Sequence, residues 1–363
     1  MKKMFLFAAM ASVAFASCTT DEKFFDGTDE SNEIRFTAAQ YSVQSRGEHD
    51  PDVAFTEDVT IWSWYDGKGV DGDKNYTVIP GDNYNSSYEN SDGTKGGFTS
   101  NNKYYWPVDG TALDFVAVPT ELVGTKYFTA PTRDAAGNTK LEFKIAAADE
   151  YHSTVNLMTT EVQTANNGTV ALLFRHLLSK VNIKVSQHVR ENDDARWTVT
   201  VNSIKVSGLN DVGSVAIDDK WVAKNASDEA KYWDEVSGSE DWEVLTSAHE
   251  LYTNGVTDAA AVQNDFKSAE TYYMLPQKLE AGSQKITINY TVVTEYLGNP
   301  TQPHTTKTYS ETFALKDVAT IKAWAMNKII TYNILINPTE TINQIAFTVK
   351  EEEWGKGTDS KEI

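Results

Sequence analysis

Val170–Val189 reads VALLFRHLLSKVNIKVSQHV. Val170, Leu172 and Phe174 alternate with Ala171, Leu173 and Arg175, and after a break Val181, Ile183 and Val185 alternate with Lys180, Asn182, Lys184 and Ser186. Successive side chains of a strand point to opposite faces, so each run predicts a strand with one face buried. The His-Leu-Leu-Ser segment between them is too short for a helix and too apolar for a loose linker. The stretch therefore predicts the last strand of one β-sandwich, a tight passage, and the first strand of another.

The rest of the chain supports that reading. Going towards the N-terminus, Asn156-Leu157-Met158, Leu141–Ile145, Leu113–Pro119 and Val59–Tyr65 are short runs rich in β-branched and aromatic residues, divided by Gly, Asn and Asp. Ile34-Arg35-Phe36 and Tyr41-Ser42-Val43, on either side of Thr37–Gln40, predict the first strand. Asn83–Asn102 is composed of Asn, Ser, Gly and Tyr with almost no aliphatic residues and reads as a long exposed loop. Towards the C-terminus, Trp197–Val201, Ile204–Val206, Ile286–Val292, Lys328–Ile336 and Gln344–Val349 repeat the pattern. Asp258–Glu270 has the spacing of a short helix, and Ala223–Glu243 reads as a polar loop carrying Trp233 and Trp242. Many short strands at regular spacing predict an all-β chain of sandwich type. At roughly 150 residues per domain, 363 residues suggest two of them.

The composition is globular, with 40% apolar and 11% aromatic residues. A formal charge of −20 argues against a nucleic-acid partner, because displacing phosphate counterions takes Lys and Arg. At the N-terminus Lys2 and Lys3 precede an apolar run, Met4–Phe15, that is too short to span a bilayer, and small residues follow. This pattern predicts an export signal over residues 1–17. The single cysteine, Cys18, stands directly after Phe15-Ala16-Ser17, an arrangement similar to a bacterial lipobox, in which the thiol is acylated and becomes the mature N-terminus. Residues 18–32 then form a polar tether, and 358–363 a polar tail.

Catalytic inventory is sparse. The six histidines are scattered, and no His-Glu-x-x-His, Gly-x-Ser-x-Gly or phosphate-binding glycine loop occurs. His176, in an apolar stretch, reads as an interior residue. Asp71-Gly72-Asp73-Lys74-Asn75 with Asp82 has the outline of a calcium loop but carries Tyr76 where the turn needs Gly, so a solvated turn is preferred. No enzyme activity, metal or cofactor is expected.

The ordered set Ile34-Arg35-Phe36, Ile61–Tyr65, Tyr104-Tyr105-Trp106-Pro107, Leu113–Pro119, Asn156-Leu157-Met158 and Leu173–Val181 resembles Bacteroidetes fimbrillin-like proteins of the major and minor fimbrium subunit type. Met274-Leu275-Pro276-Gln277, Asn327–Ile334 and the closing Trp354-Gly355 extend the resemblance over about residues 33–357. Asn156 stands where that family more often has Asp, and Ala325-Met326-Asn327 replaces the usual Ala-Gly-Lys. The resemblance implies two tandem transthyretin-like Greek-key β-sandwiches, here over 33–178 and 179–357. It implies a lipoprotein carried to the outer membrane and cell surface by acylated Cys18, and a role as a structural, tip or accessory subunit of a fimbrium.

It also implies polymerisation with other fimbrillin subunits, in homo- or heteropolymers, after an Arg-specific surface protease removes the first strand. A strand of the next subunit then fills the groove. The segment lost would carry Ile34, Phe36, Tyr41 and Val43, the cut would fall between Arg46 and Gly47 in a polar loop, and the incoming strand would carry Ile345, Phe347 and Val349. The Gln344–Val349 run has an equally open reading as a resident strand of the second sandwich. An alternative function is a non-polymerising glycan-binding surface lipoprotein. Nine Trp and seventeen Tyr could supply stacking platforms, with Tyr84, Tyr88, Trp233 and Trp242 lying in polar stretches.

Overall fold

A computed structural model describes residues 32–40, 57–65, 76–89, 95–134, 136–146, 157–160, 162–188, 191–218, 233, 235–251, 266–267, 272–279, 282–299, 301–318, 321–339 and 345–353. The described secondary structure is almost all β, as the alternation predicts. The strands are β1 (Arg35–Gln40), β2 (Val59–Tyr65), β3 (Thr77–Glu89), β4 (Lys95–Thr99), β5 (Leu113–Pro119), β6 (Phe128–Arg133), β7 (Thr139–Ile145), β8 (Met158–Thr160), β9 (Gln163–Ala165) and β10 (Thr169–His176). Beyond Leu177-Leu178 come β11 (Ser179–Gln187), β12 (Ala195–Leu209), β13 (Val212–Asp218), β14 (Glu235–Ser237), β15 (Glu240–Leu245), β16 (His249–Glu250), β17 (Phe266–Lys267), β18 (Tyr272–Met274) and β19 (Gln277–Lys278). The last are β20 (Lys285–Tyr296), β21 (Thr305–Ala314), β22 (Ala323–Trp324), β23 (Lys328–Ile336) and β24 (Ile345–Glu353).

An eight-stranded sheet of order β8-β10-β1-β4-β3-β2-β5-β9 is built wholly from residues before 178. It curls far enough for β8 to meet β5, where the Thr160 hydroxyl accepts from the Ala117 amide at 2.9 Å and the Thr159 hydroxyl donates to the Ala117 carbonyl at 3.2 Å. Strands β2 and β5 are buried along their whole length because both of their faces are covered. Val59, Ile61, Leu113, Phe115 and Ala117 face one core, and Trp62, Trp64, Val116 and Val118 face another. That double burial is why VTIWSWY and LDFVAVP show no clean polar alternation.

Two further sheets, β17-β11-β23-β24 with β18 added on β11, and β15-β12-β20-β21 with β16 added on β12, pack face to face. In β11, β12 and β20 one face meets solvent, and the sequence alternates accordingly. In β11 Val181, Ile183 and Val185 are buried while Lys180, Asn182 and Lys184 are half-exposed. In β20 Ile286, Ile288, Tyr290 and Val292 are buried and their neighbours are not.

The fourth sheet, β14-β13-β7-β6, crosses the expected boundary at 178/179. Residues Gly213–Asp218 pair with Ile145–Lys140, so the layer covering the outer face of β2 and β5 joins segments from both sides of it. The core beneath collects Phe128, Leu141 and Phe143 from before the junction, Val215, Ile217 and Trp233 from after it, and Leu177-Leu178 from the junction itself. The twenty-residue opening stretch thus feeds three cores in turn. Val170, Leu172 and Phe174 enter the first, Leu177 and Leu178 the shared one, and Val181, Ile183 and Val185 the last.

The predicted loop Asn83–Asn102 instead contains most of β3 and all of β4. Its aliphatic poverty hides two core residues, Tyr84 and Phe98, and register shifts between Asn85 and Tyr88 and between Tyr88 and Glu89 break the alternation. Phe266 and Lys267, expected on a helix, form β17, and the rest of Asp258–Glu270 is outside the described residues.

Candidate functional site

Strand β1 is set between two unequal neighbours. Against β10 it pairs in parallel through six consecutive positions, Arg35 with Thr169 to Gln40 with Phe174. Against β4 it pairs at Thr37 with Gly97. Its N-terminal end is tied down separately: the Ile34 amide donates to the Tyr104 carbonyl at 2.8 Å, the Trp106 amide donates to the Asn32 carbonyl at 3.0 Å, and the Asn32 side chain donates back to the Trp106 carbonyl.

The period of two sends Ile34 and Phe36 inward, where both are buried. The Phe36 ring sits edge-on to Tyr84 at 5.2 Å and to Phe115 at 5.5 Å, geometry that favours aromatic pairs beyond their buried area. Fully burying two such side chains contributes roughly 1.5–3 kcal/mol each. Arg35 and Thr37 point the other way. Arg35 pairs with Glu33 at 3.9 Å and Lys103 with Glu33 at 3.7 Å, exposed contacts that contribute little.

A cleft of about 440 Å³ opens where β1 and the Phe98–Lys103 segment diverge. Glu33, Arg35 and Thr37 form one wall, and Phe98, Ser100 and Lys103 the other. At its rim Asp82 accepts from the Asn102 amide at 2.6 Å and from the Tyr104 hydroxyl. Burial, reinforced by the acidic Asp82 acceptor, pushes the Tyr104 hydroxyl above its ordinary range, and burial does the same to Tyr84. Both phenols stay protonated, and Asp82 is occupied as an acceptor. Among the described residues no group of three or more His, Cys, Asp or Glu could hold a metal ion.

Ile345, Phe347 and Val349 lie in the other sandwich, on β24. This strand pairs with β23 over nine positions, from Ile336 with Ile345 to Lys328 with Glu353. Ile345 is buried, Phe347 and Val349 are half-buried against the same core, and Phe347 meets Phe313 edge-on at 5.0 Å. As the chain stands, β24 is therefore a resident edge strand, one of the two readings of Gln344–Val349. Cys18, Tyr41, Val43, Arg46 and Gly47 lie outside the described residues, as does the side chain of Tyr88.

Tyr84, Trp233 and Trp242 are buried, so none of them offers a face for a sugar to stack on. Trp233 uses its indole N–H to donate to the Leu177 carbonyl at 2.7 Å. His176 is enclosed too, and desolvation with the nearby Lys180 charge holds its imidazole well below the usual range and neutral.

Two features escaped the sequence. Asn327, in the segment that departs from Ala-Gly-Lys, is the one non-glycine residue at positive φ among the described residues, at 60°. Asn tolerates that conformation better than most residues. Its side-chain oxygen accepts from the His176 amide at 3.3 Å and its own amide donates to the Leu178 carbonyl at 3.2 Å, so it fastens the junction from both ends. The second is a buried ion pair, Arg133 to Asp114 at 2.8 Å, linking β6 to β5. Only Asn327, a residue type that tolerates positive φ, could have been suspected beforehand; a charge pair across two sheets leaves no local mark.

No curated protein matches the chain. Among solved structures, a fimbrial protein from Bacteroides vulgatus superposes with a TM-score of 0.54 at 18% identity, covering 89% of this chain and all of that one. Structures described as cell adhesion proteins from Bacteroides uniformis and Bacteroides eggerthii give TM-scores of 0.42 and 0.46 at 16% and 10% identity, with 89% and 90% of this chain and 99% and 96% of theirs covered. These likenesses concern the fold. The fimbrillin-like family model matches residues 49–354, most of the chain, and with the strand order above it follows that the chain belongs to the fimbrillin-like family.

Proposed function

We propose that this chain is a structural, tip or accessory subunit of a surface fimbrium serving adhesion, delivered to the outer membrane as a lipoprotein through Cys18 and assembled by strand exchange. The observation that carries the proposal is the seat of β1. It is laddered along one side, joined to β4 at a single registered pair, flanked by a cleft, and plugs the core with Ile34 and Phe36. Cleavage between Arg46 and Gly47 by an Arg-specific surface protease would detach the strand from the rest of the chain. Its loss would leave an apolar groove and an unpaired β10 edge, the condition that strand addition relieves.

The incoming strand is β24 of the next subunit. Ile34-Arg35-Phe36-Thr37 and Ile345-Ala346-Phe347-Thr348 share the pattern Ile-x-Phe-Thr, so Ile345 and Phe347 match the two side chains that vacate the groove. Val349, two residues beyond Phe347, continues the same face. Donation costs the β23 ladder, so exchange is slow and concentration-dependent.

A fluorescent peptide spanning Ile345–Glu353, mixed with protein cut at Arg46 and warmed to release β1, tests the reading. It should bind saturably, and the Phe347→Asp peptide should not. Arg46→Ala should leave the monomer folded and abolish polymers. Normal fimbriae from Arg46→Ala, or equal binding of the two peptides, would overturn the assignment.

A further inference from the structure

Edges of sheets are normally disarmed, because their free N–H and C=O groups template pairing with other chains. Most of the edges described in this chain follow the rule. Strands β8, β9, β14 and β17 are three residues or fewer. Strand β6 carries Pro131 and a register shift between Thr129 and Thr132. Strand β15 is short, acidic and shifted in register, and β24 ends in Glu351-Glu352-Glu353.

Of these protections strand β21 has only charge, in Lys307 and Glu311. It runs ten residues, TTKTYSETFA, with no Pro, no Gly and an unbroken register against β20, from Thr294 with Thr305 to Lys285 with Ala314. It is the outermost strand of its sheet among the described residues, and Thr305–Thr308 are exposed. Its two charges, Lys307 and Glu311, cancel on a chain whose formal charge is −20.

We propose that β21 is a lateral docking edge for β21 of a second copy of this chain, in an antiparallel two-fold pair centred on Tyr309. The centre is fixed by charge. With Tyr309 opposite its own mate, Lys307 lies opposite Glu311 twice over, Thr308 opposite Ser310, and Thr306 opposite Thr312. Centring on Lys307 or Glu311 sets like charges face to face, and centring on Thr308 or Ser310 leaves each charge opposite an uncharged residue. Residues of equal parity present their backbone groups to the same edge, so the Tyr309-centred register also matches each free N–H and C=O to its mate.

Side chains directly opposite share a face, so the threonine ladder continues outward. The Thr291–Thr308 and Thr287–Thr312 hydroxyl contacts, at 3.2 and 2.9 Å, extend to Ser310 and Thr306 of the second copy. On the other face Tyr309, stacked on Tyr290 at 5.0 Å, meets its symmetry mate. A self-complementary edge of this kind gives a closed two-fold pair, distinct from the head-to-tail chain that strand exchange produces.

The test uses the intact chain carrying Cys18→Ser and Arg46→Ala, so that neither a native thiol nor cleavage-driven assembly contributes. Sedimentation across the micromolar range should show a concentration-dependent dimer. Lys307→Glu should weaken it about tenfold or more, and Lys307→Glu/Glu311→Lys should restore it. Glu311 also accepts from the Tyr290 hydroxyl at 2.7 Å, so the reversal is read alongside its thermal melt. A second route avoids that contact: Thr308→Cys/Ser310→Cys should cross-link to covalent dimer under mild oxidation, and Thr308→Cys alone should not, because its mate lies too far across the axis. A monomer at every concentration, a dimer indifferent to Lys307→Glu, or equal cross-linking by the single and double cysteine variants would overturn the proposal without touching the strand-exchange reading.

Discussion

Replacing Asp114 by alanine should be among the most damaging single changes in the first half of the chain. The carboxylate sits 2.8 Å from the Arg133 guanidinium, with side-chain exposures of 9% and 2%, and its other oxygen accepts from the Thr164 hydroxyl at 2.6 Å. At that separation and an effective dielectric of about 20 the attraction is roughly 6 kcal/mol, set against a desolvation penalty of several kcal/mol per ion. The intact pair is thus close to neutral in net terms. Removing one member is not, because it leaves the other charge buried with its partner gone, at about 3–5 kcal/mol. Urea unfolding followed by tryptophan fluorescence should show the midpoint of Asp114→Ala falling at unchanged slope, and Trp64 is a local reporter because the Arg133 guanidinium lies 6.0 Å from its ring. Asp114→Leu/Arg133→Met should recover most of the loss. A loss under about 1 kcal/mol for Asp114→Ala would refute the reasoning, since that is the range of an exposed pair.

Three further outcomes are expected. His176 is held neutral with its pKa well below 6.5, so the unfolded chain takes up the proton first; its contribution is complete above pH 6.5 and is lost as pH falls through the window below. Stability measured from pH 7 to 5 should therefore fall less steeply in His176→Leu, by up to about 1.4 kcal/mol per pH unit, and parallel slopes would contradict the assignment. Trp233→Phe deletes the buried donor to the Leu177 carbonyl and should cost about 1–3 kcal/mol in chemical denaturation, with a wild-type value counting against the junction as a fastened joint. Gly81 has φ of +100° and a Cβ there would lie 2.6 Å from the Trp62 indole nitrogen, whereas Gly110, at φ of +72°, has open space. Gly81→Ala should lower the melting temperature well beyond Gly110→Ala, which bears only a dihedral penalty of about 1–2 kcal/mol; equal shifts would mean that Trp62 yields freely.

How much of this could be read beforehand depended on whether a residue's environment was written in its neighbours. Val170–Val185 was legible because each strand there buries one face, and the buried faces of β10, β11 and β20 are the ones that alternation picks out. Ile34 and Phe36 were legible for the same reason. In β3 and β4 the signal failed because Tyr84 and Phe98 are separated by bulged polar stretches, and polar side chains find partners such as the Asp58 carboxylate, which accepts from the Ser86 hydroxyl at 3.3 Å. Trp233 and Trp242 looked like exposed aromatics because their neighbours are charged, yet each enters a core supplied by strands far away in sequence. The β7–β13 pairing was invisible, since no property of Leu141 or Ile217 announces a partner more than seventy residues distant.

That pairing also sets a timetable. A chain made from its N-terminus has Thr139–Ile145 available long before Val212–Asp218, and Glu235–Ser237 later still. At about 5–20 residues per second the stretch from Ile145 to Asp218 takes roughly 4 to 15 seconds to make. Throughout that time β7 has β6 on one side and an open edge on the other, with Leu141, Phe143 and Ile145 only partly roofed. An unpaired apolar strand of that kind is open to pairing with other chains, and a fragment ending at residue 178 would keep that edge open for good.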